Sequence, residues 1–511
     1  MTKSNLAVEP LPSRPNLEFQ QKLAKRLLRD AWEGKAEALA RIQAFHPKPP
    51  STDELTLRDA QWVIARGYGF DSWLAMKRKI DSLTKTPFEL FDLAVRSGDV
   101  EAAREQLEKH ADVRAVINKP IFDFDSPAIH QAKKNLPLVD VLLEYGADIN
   151  ARSNFWAGGF GILEWNLSLE EAQPLIDRRA TITPWAAAMF GMMDRLKAHL
   201  DATPTLIHEK GGDGKTLLHF ASTLECIELL LDRGANIDAR DTDHNSTPLQ
   251  YHIQDKAIAR RLIERGATTD IYAAARLGDV ESVKRLLRMD PKNICAWINL
   301  PPFTGPGGHI YGWTLGSDVS PADVAREYGH EEVVTILLDH ASPKQRFLDA
   351  LWNADEARAR AELAKDPNLM QQLDVHERKM MTMAAWGYRP AAVRLMLDVG
   401  FDPSVKGVHQ STTLDRACFH GYSDIVAMVL ATPNPPLAEK NEFGGTPLGA
   451  TIYGSIHGWK TGHPQNHPET LRLLLEAGAP FDATDIPTGN DAIDAQLRAW
   501  LKNKPENVLG A

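Results

Sequence analysis

Seventeen histidines stand in a chain of 511 residues, and several share loops with tryptophan, tyrosine and aspartate. Such sets can move protons, hold a metal or simply pack, and spacing separates these uses. His457, His463 and His467 fall in one stretch with Trp459, but Pro464 and Pro468 keep them off a single helical face. Zinc needs three or four converging ligands with supporting partners, so no metal is expected here. Gly454-Ser455-Ile456-His457-Gly458 has the wrong spacing for the nucleophile elbow G-x-S-x-G. Gly211-Gly212-Asp213-Gly214-Lys215-Thr216 ends like a phosphate loop, yet that loop wants a glycine where Glu209 stands. Asp123 and Asp125 flank Phe124 and would face the same way in an extended loop; solvated loop acids are the simpler reading. Cys226, Cys295 and Cys418 are scattered, which supports neither a disulfide framework nor a structural zinc site. No catalytic residue is assigned, and no cofactor is expected.

Three stretches remain unusual: Phe155–Phe160, Pro301–Gly316 and Tyr453–His467, all rich in glycine and aromatic residues. A run such as Pro301-Pro302-Phe303-Thr304-Gly305-Pro306-Gly307-Gly308 cannot be helical, so its large apolar neighbours need cover or a partner. Loops carry binding residues on rigid scaffolds, and Trp and Tyr dominate interface energetics. The candidate binding residues are Trp156, His219, Asp243, His244, Tyr251, His309, Tyr311, Trp313, His457 and Trp459. The bland alternative is that these loops fold over one another and patch the surface.

The elements that must position these loops recur. VDVLLEYGADINAR from Val139, CIELLLDRGANIDAR from Cys226, RRLIERGATTD from Arg260, VRLMLDVGFDPS from Val393 and LRLLLEAGAPFD from Leu471 each read as an apolar helix, a glycine and a polar turn. Thr216-Leu217-Leu218-His219, Thr247-Pro248-Leu249, Ser320-Pro321-Ala322 and Thr446-Pro447-Leu448 read as capped helix starts. LAVRSGDVEAA, AARLGDVESV, AREYGHEEVV and ACFHGYSDIV place a glycine where one helix must end in a left-handed residue and the next begin. Apolar residues at helical spacing on both helices need a neighbouring unit on each side, which is the logic of a solenoid.

These phrases resemble the ankyrin repeat, and the resemblance covers Pro87 to Gln496, room for about eleven or twelve units of that period. SNFWAGGFG, GGDGKTLLHFAST, DHNSTPLQY, GPGGHIYGWTLG and FGGTPLGATIYGSIHGW are also similar to bacterial multi-ankyrin proteins with a helical module in front of the array. The resemblance implies an all-α ankyrin-repeat solenoid with residues 1–16 a flexible tail, 17–85 a helical module, 86–496 the array and 497–511 a cap end and tail. The module, with Trp62, Tyr68, Phe70 and Trp73 as a small aromatic core, is expected to cover the first repeat near Phe88. Ala492 to Leu501 reads as a short capping helix at the far end. Strand content should be confined to turn tips.

With Lys+Arg 58 against Asp+Glu 68 the net charge is −10, which gives no electrostatic reason to expect nucleic acid. No run is long and apolar enough for a membrane span, and no secretory signal is visible, so a cytoplasmic chain is expected. The repeat builds an extended surface rather than a deep cavity, which favours a scaffold for an unidentified protein or peptide over an enzyme. The alternative is a small-molecule-binding protein or enzyme with a His/Asp/aromatic pocket on the concave face.

Overall fold

A computed structural model describes residues 8–298, 300–316 and 319–503. Among them there are helices and no strands; the one β feature is an isolated bridge between Phe122 and Ser126, at a turn. The expectation of an all-helical chain holds. No helix among the described residues is long and apolar enough to cross a membrane.

The helices come in pairs, and the pairs fall where the recurring phrases put them. Leu217–Phe220 pairs with Leu224–Asp232, Pro248–Tyr251 with Lys256–Glu264, and Thr413–His420 with Ser423–Leu430. Threonine side chains accept the orphan amides at the helix starts: Thr183 from Ala186, Thr247 from Gln250 and Thr446 from Gly449. Gly98, Gly278 and Gly421 end their helices at φ 71°, 71° and 70°, a region closed to most side chains.

The chain divides into two compact units. Lys85–Ala341 forms one, and residues 1–84 with 342–511 form the other. In the first, Leu217, Leu230, Leu249, Leu262, Tyr272 and Val283 belong to one continuous buried core that runs from helix pair to helix pair. In the second, Phe347, Leu351, Met396, Leu414, Leu471 and Leu497 do the same.

The placement of the N-terminal module corrects the sequence expectation. Its helices Leu17–Trp32, Ala36–Phe45, Leu57–Gly67 and Trp73–Thr84 belong with the last third of the chain, not with the repeat near Phe88. Trp32 packs against both the module's core and that of the helices in residues 342–503. The Arg498 guanidinium lies 3.9 Å over the Trp32 ring and donates to the Asp53 carbonyl at 3.4 Å. Arg498 sits in the last helix, Asp491–Asn503, which includes the expected cap Ala492–Leu501. The module's core is aliphatic, built on Leu28, Val63, Ile64, Met76 and Ile80; Tyr68, Phe70 and Trp73 pack at its edge rather than forming it. Residues 1–7 of the expected tail, and 504–511 at the other end, lie outside the described residues. Residues 8–16 lie along the module, with the Glu9 amide on the Gly67 carbonyl at 2.9 Å and Leu11 against its core.

Candidate binding site

Within the Lys85–Ala341 unit, the long stretch after Val280–Met289 folds back onto the turn before Pro248–Tyr251. The Gly307 amide donates to the Asp243 carbonyl at 2.9 Å, the Ile310 amide to the Ser246 hydroxyl at 3.3 Å, and the Asn245 side-chain amide to the Thr304 carbonyl at 3.4 Å. Glycine is required for this approach. A Cβ on Gly307 would stand 2.6 Å from the Asp243 carboxylate, and one on Gly305 would stand 2.5 Å from the His244 carbonyl carbon.

The fold-back brings His219, Asp243, His244, Tyr251, His309 and Tyr311 into one neighbourhood. His219 receives the Thr216 amide on Nδ1 at 3.1 Å, so its Nε2 carries the proton and donates to the Ser246 carbonyl at 3.1 Å. It thereby ties one helix start to the turn of the next unit. Burial pushes its pKa down to about 3, so it is neutral at pH 7. Asp241 collects the His244 and Ser246 amides and the Tyr251 hydroxyl at 2.8, 2.6 and 3.1 Å. His244 Nδ1 donates to the Gly308 carbonyl at 2.8 Å, which leaves Nε2 3.6 Å from the Asp243 carboxylate. Burial, opposed by His244 and aided by Asp213 and Asp241, raises the Asp243 pKa. Lys215 bonds Asp213 at 3.1 Å and lies over the Phe220 and Tyr251 rings.

His309 and Tyr311 are deeper still, 1% and 0% exposed. The Tyr311 hydroxyl donates to Asp270, 2.9 Å from Oδ2, and Asp270 also caps the helix Ile271–Leu277 through the Ala273 amide. Burial holds the His309 pKa down at about 4. The His244, Asn245 and Ser246 side chains bond across from turn to loop, while His219 and Tyr251 hold the turn to the helices beside it. Among the described residues no group of three His, Cys, Asp or Glu could hold a metal ion.

The other candidates stand apart. Trp313 belongs to the same loop but is 76% exposed. Trp156 is 60% exposed, at the edge of an aromatic cluster in which Phe155 meets Phe124 and Phe160 meets Trp165. His457 and Trp459 lie in the other unit. His457 packs on Tyr453 at 4.5 Å, and Trp459 meets Trp386, Phe419 and His420 edge-on at 5.8, 5.4 and 5.4 Å. Eight of the ten candidates thus lie in the Lys85–Ala341 unit and two, His457 and Trp459, in the other. Trp386, Phe419 and Arg416 were not singled out from sequence, although an aromatic residue recurs at Trp352, Trp386, Phe419 and Tyr453 at intervals of 34, 33 and 34 residues.

The turn Gly211–Thr216 has no feature of a phosphate cradle. Gly212 lies against Phe160 and Gly214 against Thr242, each so closely that a Cβ would overlap its neighbour. The family model of the ankyrin repeat matches residues 213–242, which span this turn, the Leu217–Phe220 and Leu224–Asp232 helices and the turn beyond. No curated protein matches the chain.

Proposed function

We propose that the chain is a protein-binding scaffold whose contact residues sit at the tips of its aromatic loops, Trp313 foremost. The ankyrin repeat at 213–242 supports a protein partner in general terms. The same pairing of capped helices on both sides supports reading residues 86–496 as divergent copies of it, behind a helical module at 17–85. One observation carries the choice of Trp313. In its loop Phe303, His309, Tyr311 and Leu315 are all buried, yet the largest ring is left 76% in solvent. Folding alone gives no reason to spend a tryptophan there. Its indole N–H has no partner among the described residues, which leaves a large ring and a free donor on a backbone held down by its neighbours.

The test is to purify Trp313→Ala and measure both thermal unfolding and recovery of bound proteins from lysate. An exposed ring removed without loss of packing should leave Tm within about 1 °C, since surface substitutions cost within about 0.5 kcal/mol. Loss of a central anchor costs about 2 kcal/mol of binding, on the order of thirtyfold. A variant that retains every partner of the parent removes Trp313 from the reading. In the fold-back, His244 Nδ1 on the Gly308 carbonyl and the Tyr251 hydroxyl on Asp241 serve the structure.

A further inference from the structure

The unit containing Ser342–Ala511 holds a second aromatic surface that the loops do not account for. Trp352 and Trp386 end the helices Pro343–Trp352 and Met380–Trp386, Phe419 is next to last in Thr413–His420, and Tyr453 lies one turn before the end of Pro447–His457. The Trp386 and Phe419 rings stack at 5.8 Å with 21° between planes, and Phe419 and Tyr453 at 6.3 Å with 30°. Gly454 allows the last step: a Cβ there would overlap the Phe419 carbonyl oxygen. Trp459 closes one side. Trp386 is 37% exposed, Tyr453 57% and Trp459 54%, with Phe419 half-buried among them, whereas Trp352 is buried.

Two cations edge this ladder. Arg389 lies 4.4 Å over Trp352 and Arg416 lies 4.5 Å over Trp386. Arg389 donates to the Trp352 carbonyl and Arg416 to the Val408 carbonyl, and neither has a carboxylate within salt-bridge distance among the described residues. Asp415 and Glu442 act on Arg416 only from further away. A stacked guanidinium with unused N–H donors is suited to a carboxylate, which it can grip with two parallel bonds. The spacing of the rungs matters as well. An extended peptide advances about 3.3 Å per residue, so its alternate side chains recur every 6.6 Å or so on one face. That is close to the 5.8 and 6.3 Å between rungs.

We propose that this ladder binds an extended acidic peptide segment of a partner protein, with alternate apolar side chains laid on Trp386, Phe419 and Tyr453 and flanking carboxylates on Arg389 and Arg416. The proposal rests on the protein-binding reading above and names a second site and its ligand chemistry. Single-stranded nucleic acid also uses aromatic stacking with arginine, but a chain of net charge −10 with two arginines at the site is poorly made for a phosphate backbone.

The experiment uses the full chain and a fluorescein-labelled probe, Asp-Asp-Leu-Ser-Leu-Ser-Leu-Asp-Asp, read by anisotropy. Controls are the same peptide with Lys for Asp, a version with the three leucines adjacent, and a dodecamer of thymidylate. The acidic alternating peptide should bind best, with the lysine version at least tenfold weaker. Arg389→Gln and Arg416→Gln should each weaken it about tenfold, since each removes one charge-assisted pair. Tyr453→Ala should weaken it with little change in Tm, whereas Trp313→Ala should leave it untouched. Absence of binding, equal binding of the lysine peptide, or preference for thymidylate would each overturn the proposal. If that happens while a lysate partner still depends on Trp313, the scaffold reading stands and only this site falls.

Discussion

His219 illustrates what a single side chain does here. Its Nδ1 takes the Thr216 amide and its Nε2 reaches the Ser246 carbonyl, so it must be neutral to serve both. Protonation would turn Nδ1 from acceptor to donor against an N–H. The native pKa of about 3 lies below the unfolded value of 6.5, so the unfolded chain binds more protons between those limits. Stability is therefore full above pH 6.5 and is lost as pH falls from 6.5 toward 3. The slope approaches about 1.4 kcal/mol per pH unit for this histidine alone. His130, held at about 4 by burial while its Nε2 donates to the Ala151 carbonyl, acts in the same direction. Melting curves at pH 7.5 and 5.0 should show a marked fall for the parent. His219→Gln should be less stable at pH 7.5 and show a smaller fall; an equal fall would mean that His219 does not set this dependence. The sequence placed this residue in a capped helix start, Thr216-Leu217-Leu218-His219, but did not show its bond to the next turn. The burial of His309 and Tyr311 was not legible. A Gly-Pro-Gly-Gly run gives no periodicity, and nothing in it reveals that the residues after it are buried against Asp270.

At the scale of elements, short helices persist because their caps and glycines are specified, and the sequence carried that information openly. The Thr and Ser starts and the Gly ends located the helix pairs. What it hid was how closely the elements approach. Gly454 sits inside the helix Pro447–His457, where a glycine is normally a cost of about 1 kcal/mol relative to alanine. Here it gives close packing against Thr413–His420, with His467 Nε2 on the Phe419 carbonyl at 3.0 Å alongside. Gly454→Ala should improve the isolated helix yet destabilise the protein, by about 1–3 kcal/mol, because the added methyl meets backbone rather than a movable side chain. Chemical denaturation would measure it; a stabilised variant would mean that the helices can part without loss. Gly305→Ala in the fold-back loop should act alike through the His244 backbone, and it should also loosen the Trp313 tip. A drop in partner recovery larger than the drop in stability explains would connect the loop's seating to its binding role.

At the scale of the whole molecule, the position of the N-terminal module was the least legible feature. A series of stacked helix pairs leaves apolar surface at either end that a helical module can cover; amphipathic periodicity in Leu17–Trp32 says that the helix buries a face, not which helices receive it. The structure groups the module with the helices of the last third of the chain, through Trp32 against the core that contains Ile493 and Leu497, and through Arg498 stacked on Trp32. The outer ion pair, Lys502 to Asp53 at 3.9 Å between exposed side chains, adds little. The apolar contact and the stacked guanidinium therefore hold the module, and the two make different predictions. Trp32→Ala removes both and should cost about 2–3 kcal/mol, toward the lower end of tryptophan truncations because Trp32 is only partly buried. Arg498→Gln removes the cation alone and should cost about 1 kcal/mol. Hydrogen exchange gives the location as well as the size. In Trp32→Ala, amides of Asp491–Asn503 and His467–Glu476 should lose protection while those of Pro87–Ser97 and Val100–Lys109 keep theirs. The reverse pattern would return the module to the first repeat, and the Arg498 contact would then have no stabilising role to explain.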